Sequence, residues 1–158
     1  MNVGDWLLWG FAATVVLTAL MAGTQALKIT RMNIPYLLGT MVTADRDRAR
    51  LYGILLHLAN GWIFALVYLA MFHSIGKASP LFGALIGLVH GFFVLAVGLP
   101  AFPAVHPRMA SETRGPTVVR MLEPPGFLGQ HYGVRTPISV LLAHVVFGAI
   151  LGGFYRLG

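Results

Sequence analysis

The sequence predicts an all-α fold: a single transmembrane domain, residues 1–158, in which four helices form an integral membrane bundle. Three observations predict it. Hydrophobic residues make up 57% of the chain, only 10% is charged, and the mean hydropathy is +0.76; these values belong to chains solvated by lipid. Residues 6–27, 51–76, 78–107 and 136–155 contain no Asp, Glu, Lys or Arg, and each stretch can cross a hydrocarbon core of about 30 Å. The cations between them are sorted by side. Lys28, Arg31, Arg46, Arg48 and Arg50 lie between the first and second stretches, Arg108, Arg114, Arg120 and Arg135 between the third and fourth, and only Lys77 and Arg156 fall opposite. The positive-inside rule then makes both long loops, 28–50 and 103–136, cytoplasmic, with both termini outside.

Four spans follow, near 6–27, 51–72, 81–102 and 137–155. The first opens with Trp6 and Trp9, which suit the outer headgroup belt, and carries Thr14, Thr18, Thr24 and Gln25 toward the other helices. An acid at Asp5 and the length of the apolar stretch speak against a cleavable signal peptide. The run Asp45-Arg46-Asp47-Arg48-Ala49-Arg50 reads as the cytoplasmic cap of the second span. A short polar turn, Ser74 to Pro80, makes the second and third spans antiparallel neighbours. In the third span Gly83, Gly87 and Gly91 recur every four residues, a small-residue stripe for close helix packing, and Gly152 extends the same character in the fourth. The loop 103–136 is rich in Pro and Gly yet apolar from Thr117 to Leu128, and is expected to fold back against the membrane surface.

The net charge of +6 is accounted for by topology and by contact with anionic lipid heads through Lys28, Arg31, Arg46, Arg48 and Arg50. Nucleic acid is not an expected partner. The absence of cysteine excludes disulfides, thiolate-bound clusters, covalent c-type haem and thiol nucleophiles. No span contains Asp or Glu, which argues against a carboxylate ion relay, and no nucleotide-binding, esterase or metalloprotease motif occurs. Catalysis by this chain alone is not expected.

The chain also repeats itself. His57-x3-Gly61-x6-Tyr68 in the second span matches His144-x3-Gly148-x6-Tyr155 in the fourth. Upstream, Pro35-x-x-Leu38-Gly39 matches Pro125-x-x-Leu128-Gly129. This predicts a tandem duplication of a two-helix unit, its parallel halves related by a pseudo-twofold axis along the membrane normal. At 100° per residue the repeated His, Gly and Tyr share one helix face. His57 and His144 would then lie at matched depth, roughly 10 Å inside the cytoplasmic edge, able to face each other.

Ionisable groups inside spans are functional candidates by default, and His57, His90 and His144 are three. Two neutral imidazoles on matched helices can serve as axial ligands of a b-type haem, with Gly61 and Gly148 leaving room for the porphyrin edge; with His90 they can hold copper or zinc. The structural alternative is that each imidazole bonds a neighbouring helix, with Asn60, Thr14 or Thr18 as partners. Tyr68 and Tyr155 read as interface anchors. His73, His106 and His131 fall in loops, where solvent exposure is expected.

Gly10-x3-Thr14, Leu20-Met21, Leu37-Leu38-Gly39-Thr40-Met41, the His-x3-Gly pair and Phe147-Gly148-x3-Gly152-x2-Tyr155 together resemble small four-helix proteins of the bacterial inner (cytoplasmic) membrane, a group without an assigned activity. The resulting expectation is a small membrane subunit or partner of a larger complex, holding a haem or metal through its histidines. The alternative is a homo-oligomer that binds lipid or another apolar molecule, with histidines that only support structure.

Overall fold

The computed structural model describes residues 2–111 and 113–157. Its described residues form helices and loops, with one isolated bridge between Met109 and Leu122. Helix α1 spans Val3–Ala26, α2 Ile34–Val42 and α3 Arg46–Ile75. Helix α4 (Pro80–Phe93) passes through a π-turn at Val94–Gly98 into α5 (Leu99–Val105), and α6 spans Thr136–Phe154. The four long stretches α1, α3, α4–α5 and α6 are long and apolar enough to cross a membrane.

Helix boundaries follow local chemistry. The side chains of Asn2, Asn33, Asp45 and Ser79 cap α1, α2, α3 and α4 by accepting backbone N–H groups. Gly76, at φ 68°, closes α3 in the left-handed conformation that glycine tolerates. The widened turn before α5 precedes Pro100 and Pro103, which lack the N–H for the regular ladder and crowd the preceding carbonyls.

Helix α1 packs between α3 and α6, α6 between α1 and α4, and α2 across α3. The α2–α3 and α4–α6 seams are both tight, with Gly39 and Gly53 against the Ala49 and Pro35 carbonyls in the first. A methyl at Gly83 would overlap the carbonyl of Gly148, one at Gly87 that of His144, and one at Gly152 that of Ser79, while Gly91 sits against the His144 side chain. The α1–α3 seam steps the same way. Gly10, Thr14 and Thr18 meet Ala65, Gly61 and His57, as Ser79, Gly83 and Gly87 meet Gly152, Gly148 and His144. The short turn does not make α3 and α4 close neighbours: they scarcely approach through backbone. They touch through rings, Phe72 with Phe82 at 5.8 Å between centroids and Phe64 with His90 at 4.1 Å.

At one end, buried Asp5 accepts from the Arg156 guanidinium at 3.1 Å, and the Asn2 N–H donates to the Tyr155 hydroxyl, so the first and last helices are tied together. At the opposite end, loop 106–135 folds over the helix ends. Thr30 and Thr136 hydroxyls bond at 2.7 Å, the Arg31 N–H donates to the Tyr132 carbonyl, and Arg31 pairs with Glu123 at 3.2 Å. Met32, Met109 and Tyr132 are buried there. Within the apolar stretch Thr117 to Leu128, Leu122, Pro125 and Leu128 gain cover from the protein, whereas Val118, Val119, Met121 and Phe127 stay exposed.

Candidate functional site

The gap that α3 and α4 leave between them is a cavity of about 240 Å³. Its walls come from α1, α3, α4 with its π-turn, and α6, and Ile34, Pro35 and Leu38 of α2 form one side. Phe64, Phe93, Phe102 and Phe147 contribute aromatic rings to a lining that is otherwise mainly aliphatic. His57, His90 and His144 all line it, so the structure gathers in one place the three histidines that the sequence singled out.

Hydrogen bonds set how each ring is held. The Thr18 hydroxyl donates to the Thr14 carbonyl at 2.7 Å, so toward His57 it accepts, and the His57 Nδ1–H donates to it at 3.0 Å. His144 donates from Nδ1 to the Val140 carbonyl, one turn back on its own helix, at 2.8 Å. Both rings therefore keep a lone pair on Nε2. His90 meets the Tyr68 hydroxyl through Nδ1 at 3.1 Å. Donation by Tyr68, whose hydroxyl has no other partner among the described residues, places the His90 proton on Nε2. That atom is buried and lacks a hydrogen-bond partner among the described residues. His90 and His144 stand edge to face, with centroids 4.7 Å apart.

Several sequence expectations are revised. Tyr68 is no interface anchor: it is 1% exposed and bonds His90. Tyr155 is likewise buried, bonded to His73 at 2.8 Å. Gly148 leaves no room for a porphyrin edge, because Gly83 of α4 occupies the space above it; Gly61 lines the cavity but its open face is pressed by Thr14. His57 takes Thr18, one of the partners the structural alternative named. Among the described residues, no three His, Asp or Glu side chains stand together at metal-binding geometry. Lys28, Arg31, Arg46, Arg48 and Arg50 are all exposed at the α2 end.

Sequence reasoning missed two polar sites. Asp5 and Arg156 sit just outside the charge-free stretches, and nothing in their spacing links them. His106, expected in solvent, is 1% exposed. Its Nδ1 accepts the Arg108 N–H at 3.1 Å and its Nε2 donates to the Leu37 carbonyl at 2.9 Å. The Arg108 guanidinium meanwhile donates to the Thr40 carbonyl at 2.6 Å. These bonds hold α2 against the chain leaving α5. Burial pushes the His106 pKa below its ordinary value, the Leu37 carbonyl partly offsets this, and the Arg108 charge adds to the depression. The His-x-Arg spacing just after a Pro-interrupted helix was the available signal.

No protein-family model, characterised protein or solved structure matches this chain.

Proposed function

We propose that the protein is a small integral membrane subunit that takes a compact, largely apolar molecule into the cavity and contacts its polar end through the imidazoles. One observation carries this reading: three imidazoles, each tied to the protein at Nδ1 and none bonded at Nε2 among the described residues, line one largely apolar cavity. An unpaired polar group in hydrocarbon costs free energy, and a bound molecule supplies the missing partner. The lone pairs of His57 and His144 select a donor such as a hydroxyl. A volume of 240 Å³ lies below the roughly 300–1,000 Å³ of drug-sized sites, which favours a compact ligand over a porphyrin.

The same two lone pairs favour a second reading, a copper or zinc ion bound by His57 and His144 with His90 beside them; a b-type haem would need the cavity to widen. In either case the chain is a four-helix bundle of the bacterial inner membrane with both termini outside, working as a homo-oligomer or with other subunits. The sorting of its loop cations and the resemblance noted above support that placement. The matched four-residue steps of the α1–α3 and α4–α6 seams support the duplication, with α4 displaced from α3 where strict twofold symmetry would repeat the α1–α6 contact.

Native mass spectrometry, metal analysis and an absorption spectrum of the gently purified chain test this. A stoichiometric organic adduct, lost in His57→Ala and His144→Ala, is expected. A Soret band or stoichiometric metal with the same dependence selects the second reading. Bare, colourless, metal-free protein that tolerates both substitutions defeats both.

A further inference from the structure

A second cavity, of about 290 Å³, opens at the α2 end between α1, α2 and α3. Its chemistry is graded. Gln25, Asn33 and Arg50 stand at its polar side, while Met21, Ile34 and Ile54 supply an apolar wall. The Asn33 amide donates to the Gln25 carbonyl oxygen at 3.3 Å, so the two amides are held together. Arg50 is paired with Asp47 at 3.2 Å, but both side chains are largely exposed, and such a pair contributes little and opens readily. Arg50 is the cation that lines it; Lys28, Arg31, Arg46 and Arg48 belong to the same segment, 28–50, in which five cations outnumber the two acids Asp45 and Asp47. The charge-free part of α3 begins at Leu51, directly after Arg50, so the change from charged to apolar falls at the level of a headgroup.

From this gradient we infer that the α1–α2–α3 cleft is a binding site for one anionic phospholipid of the cytoplasmic leaflet. Its phosphate pairs with Arg50 and accepts from the Asn33 and Gln25 amides. One acyl chain runs inward along Met21, Ile34 and Ile54. A zwitterionic lipid would bring its own cation toward Arg50 and the net-positive segment 28–50, which the charge distribution disfavours. The cleft also shares Thr18, Met21, Met32, Ile34 and Pro35 with the histidine cavity, so the chain end reaches the wall that carries His57's hydrogen-bond partner. The inference rests on the proposed cytoplasmic placement of this end and not on the identity of the molecule in the histidine cavity.

The experiment uses the full chain in detergent, titrated with phosphatidylglycerol or phosphatidylcholine and read by native mass spectrometry. One phosphatidylglycerol is expected to be retained in preference to phosphatidylcholine. Arg50→Ala should weaken it about fivefold, the weight of one basic residue against an anionic lipid. Ile54→Trp, which fills the apolar wall and leaves every cation in place, should remove it. Inorganic phosphate at millimolar concentration should not displace it. Equal retention of the two lipids, indifference to either substitution, or displacement by phosphate each overturns the site. The same spectra report any adduct sensitive to His57→Ala, so failure of the lipid site and failure of the histidine cavity are read separately.

Discussion

Replacing His106 with Leu should abolish one component of the protein's pH-dependent stability. The ring is buried, with Nδ1 accepting from the Arg108 backbone and Nε2 donating to Leu37. Facing it are Thr40 of α2, whose hydroxyl lies 3.3 Å from Nε2, the ring of Phe102, and Arg108 as the charged neighbour. Leucine fills a similar volume, and the Leu37 carbonyl keeps the Thr40 hydroxyl at 2.8 Å. Only the Arg108 N–H loses its acceptor, at a cost of about 1–3 kcal/mol for one buried unsatisfied donor. The folded pKa lies below the ordinary 6.5, so the unfolded chain takes up a proton first. Stability is whole above pH 6.5 and declines as the pH falls from there toward the folded value. Burial of the ring is the main physical cause, and a second ring proton would also point at the Arg108 N–H. Unfolding in mixed micelles with increasing dodecyl sulfate, followed by tryptophan fluorescence, gives the midpoint for wild type and His106→Leu at pH 8 and pH 5. The difference between them should be largest at pH 8 and shrink at pH 5. A difference that stays constant across this range would refute the reasoning.

Other substitutions probe the seams. Gly83→Val drives a side chain into the Gly148 carbonyl and should cost about 1–3 kcal/mol or more by overpacking, whereas Gly23→Ala, with no atom within 4 Å, should be neutral or mildly stabilising in the same assay. Thr18→Val removes the acceptor for His57 and should cost about 0.6–1.7 kcal/mol, with faster loss of any adduct in native mass spectra. Gly129→Ala places a side chain at φ 75°, 3.0 Å from the Leu99 Cδ1 atom, and should lose about 1–2 kcal/mol through the left-handed backbone alone. Arg156→Gln strips the buried Asp5 carboxylate of its cation, so the dodecyl sulfate midpoint should fall; Asp47→Asn, which breaks only an exposed pair, should leave it unchanged.

The long helices were legible because a charge-free apolar stretch leaves a chain few other options, and the observed helices exceed the predicted spans mainly where capped polar turns extend them, as at Arg46–Arg50. The glycine stripe was legible for the same local reason: four-residue spacing fixes a helix face. Helix α2 was legible only as an apolar segment, although Asn33 followed by Pro35 is an available start signal. What could not be read was which face meets which. Tyr68 shares a face with His57, yet its hydroxyl bonds His90 on another helix, and no periodicity along α3 encodes that. His106 was misplaced because exposure was inferred from loop position, while its burial depends on the long-range docking of α2 by Leu37 and Thr40.

The position of the cavity follows from how small residues are spent. Helix α4 turns Gly83, Gly87 and Gly91 toward α6, and α3 turns Gly61 and Ala65 toward α1 and Gly53 toward α2, so these small residues serve seams other than α3–α4. The α3–α4 seam is left with Phe64, Tyr68, Phe72, Phe82 and His90, whose rings meet at 4.1–5.8 Å between centroids. Rings of that size hold the backbones apart, and the separation is the gap into which the imidazoles open. Seams dense in glycine approach closely and cannot host a ligand without losing that packing, so a molecule between Gly83–Gly91 and α6 would have to displace α6. The cavity lies on the side of α4 where rings, not glycines, face α3. Gly87→Ala should therefore disturb packing while leaving the Nε2 atoms of His57 and His90 in place, and Phe64→Ala should enlarge the site while sparing the α4–α6 seam.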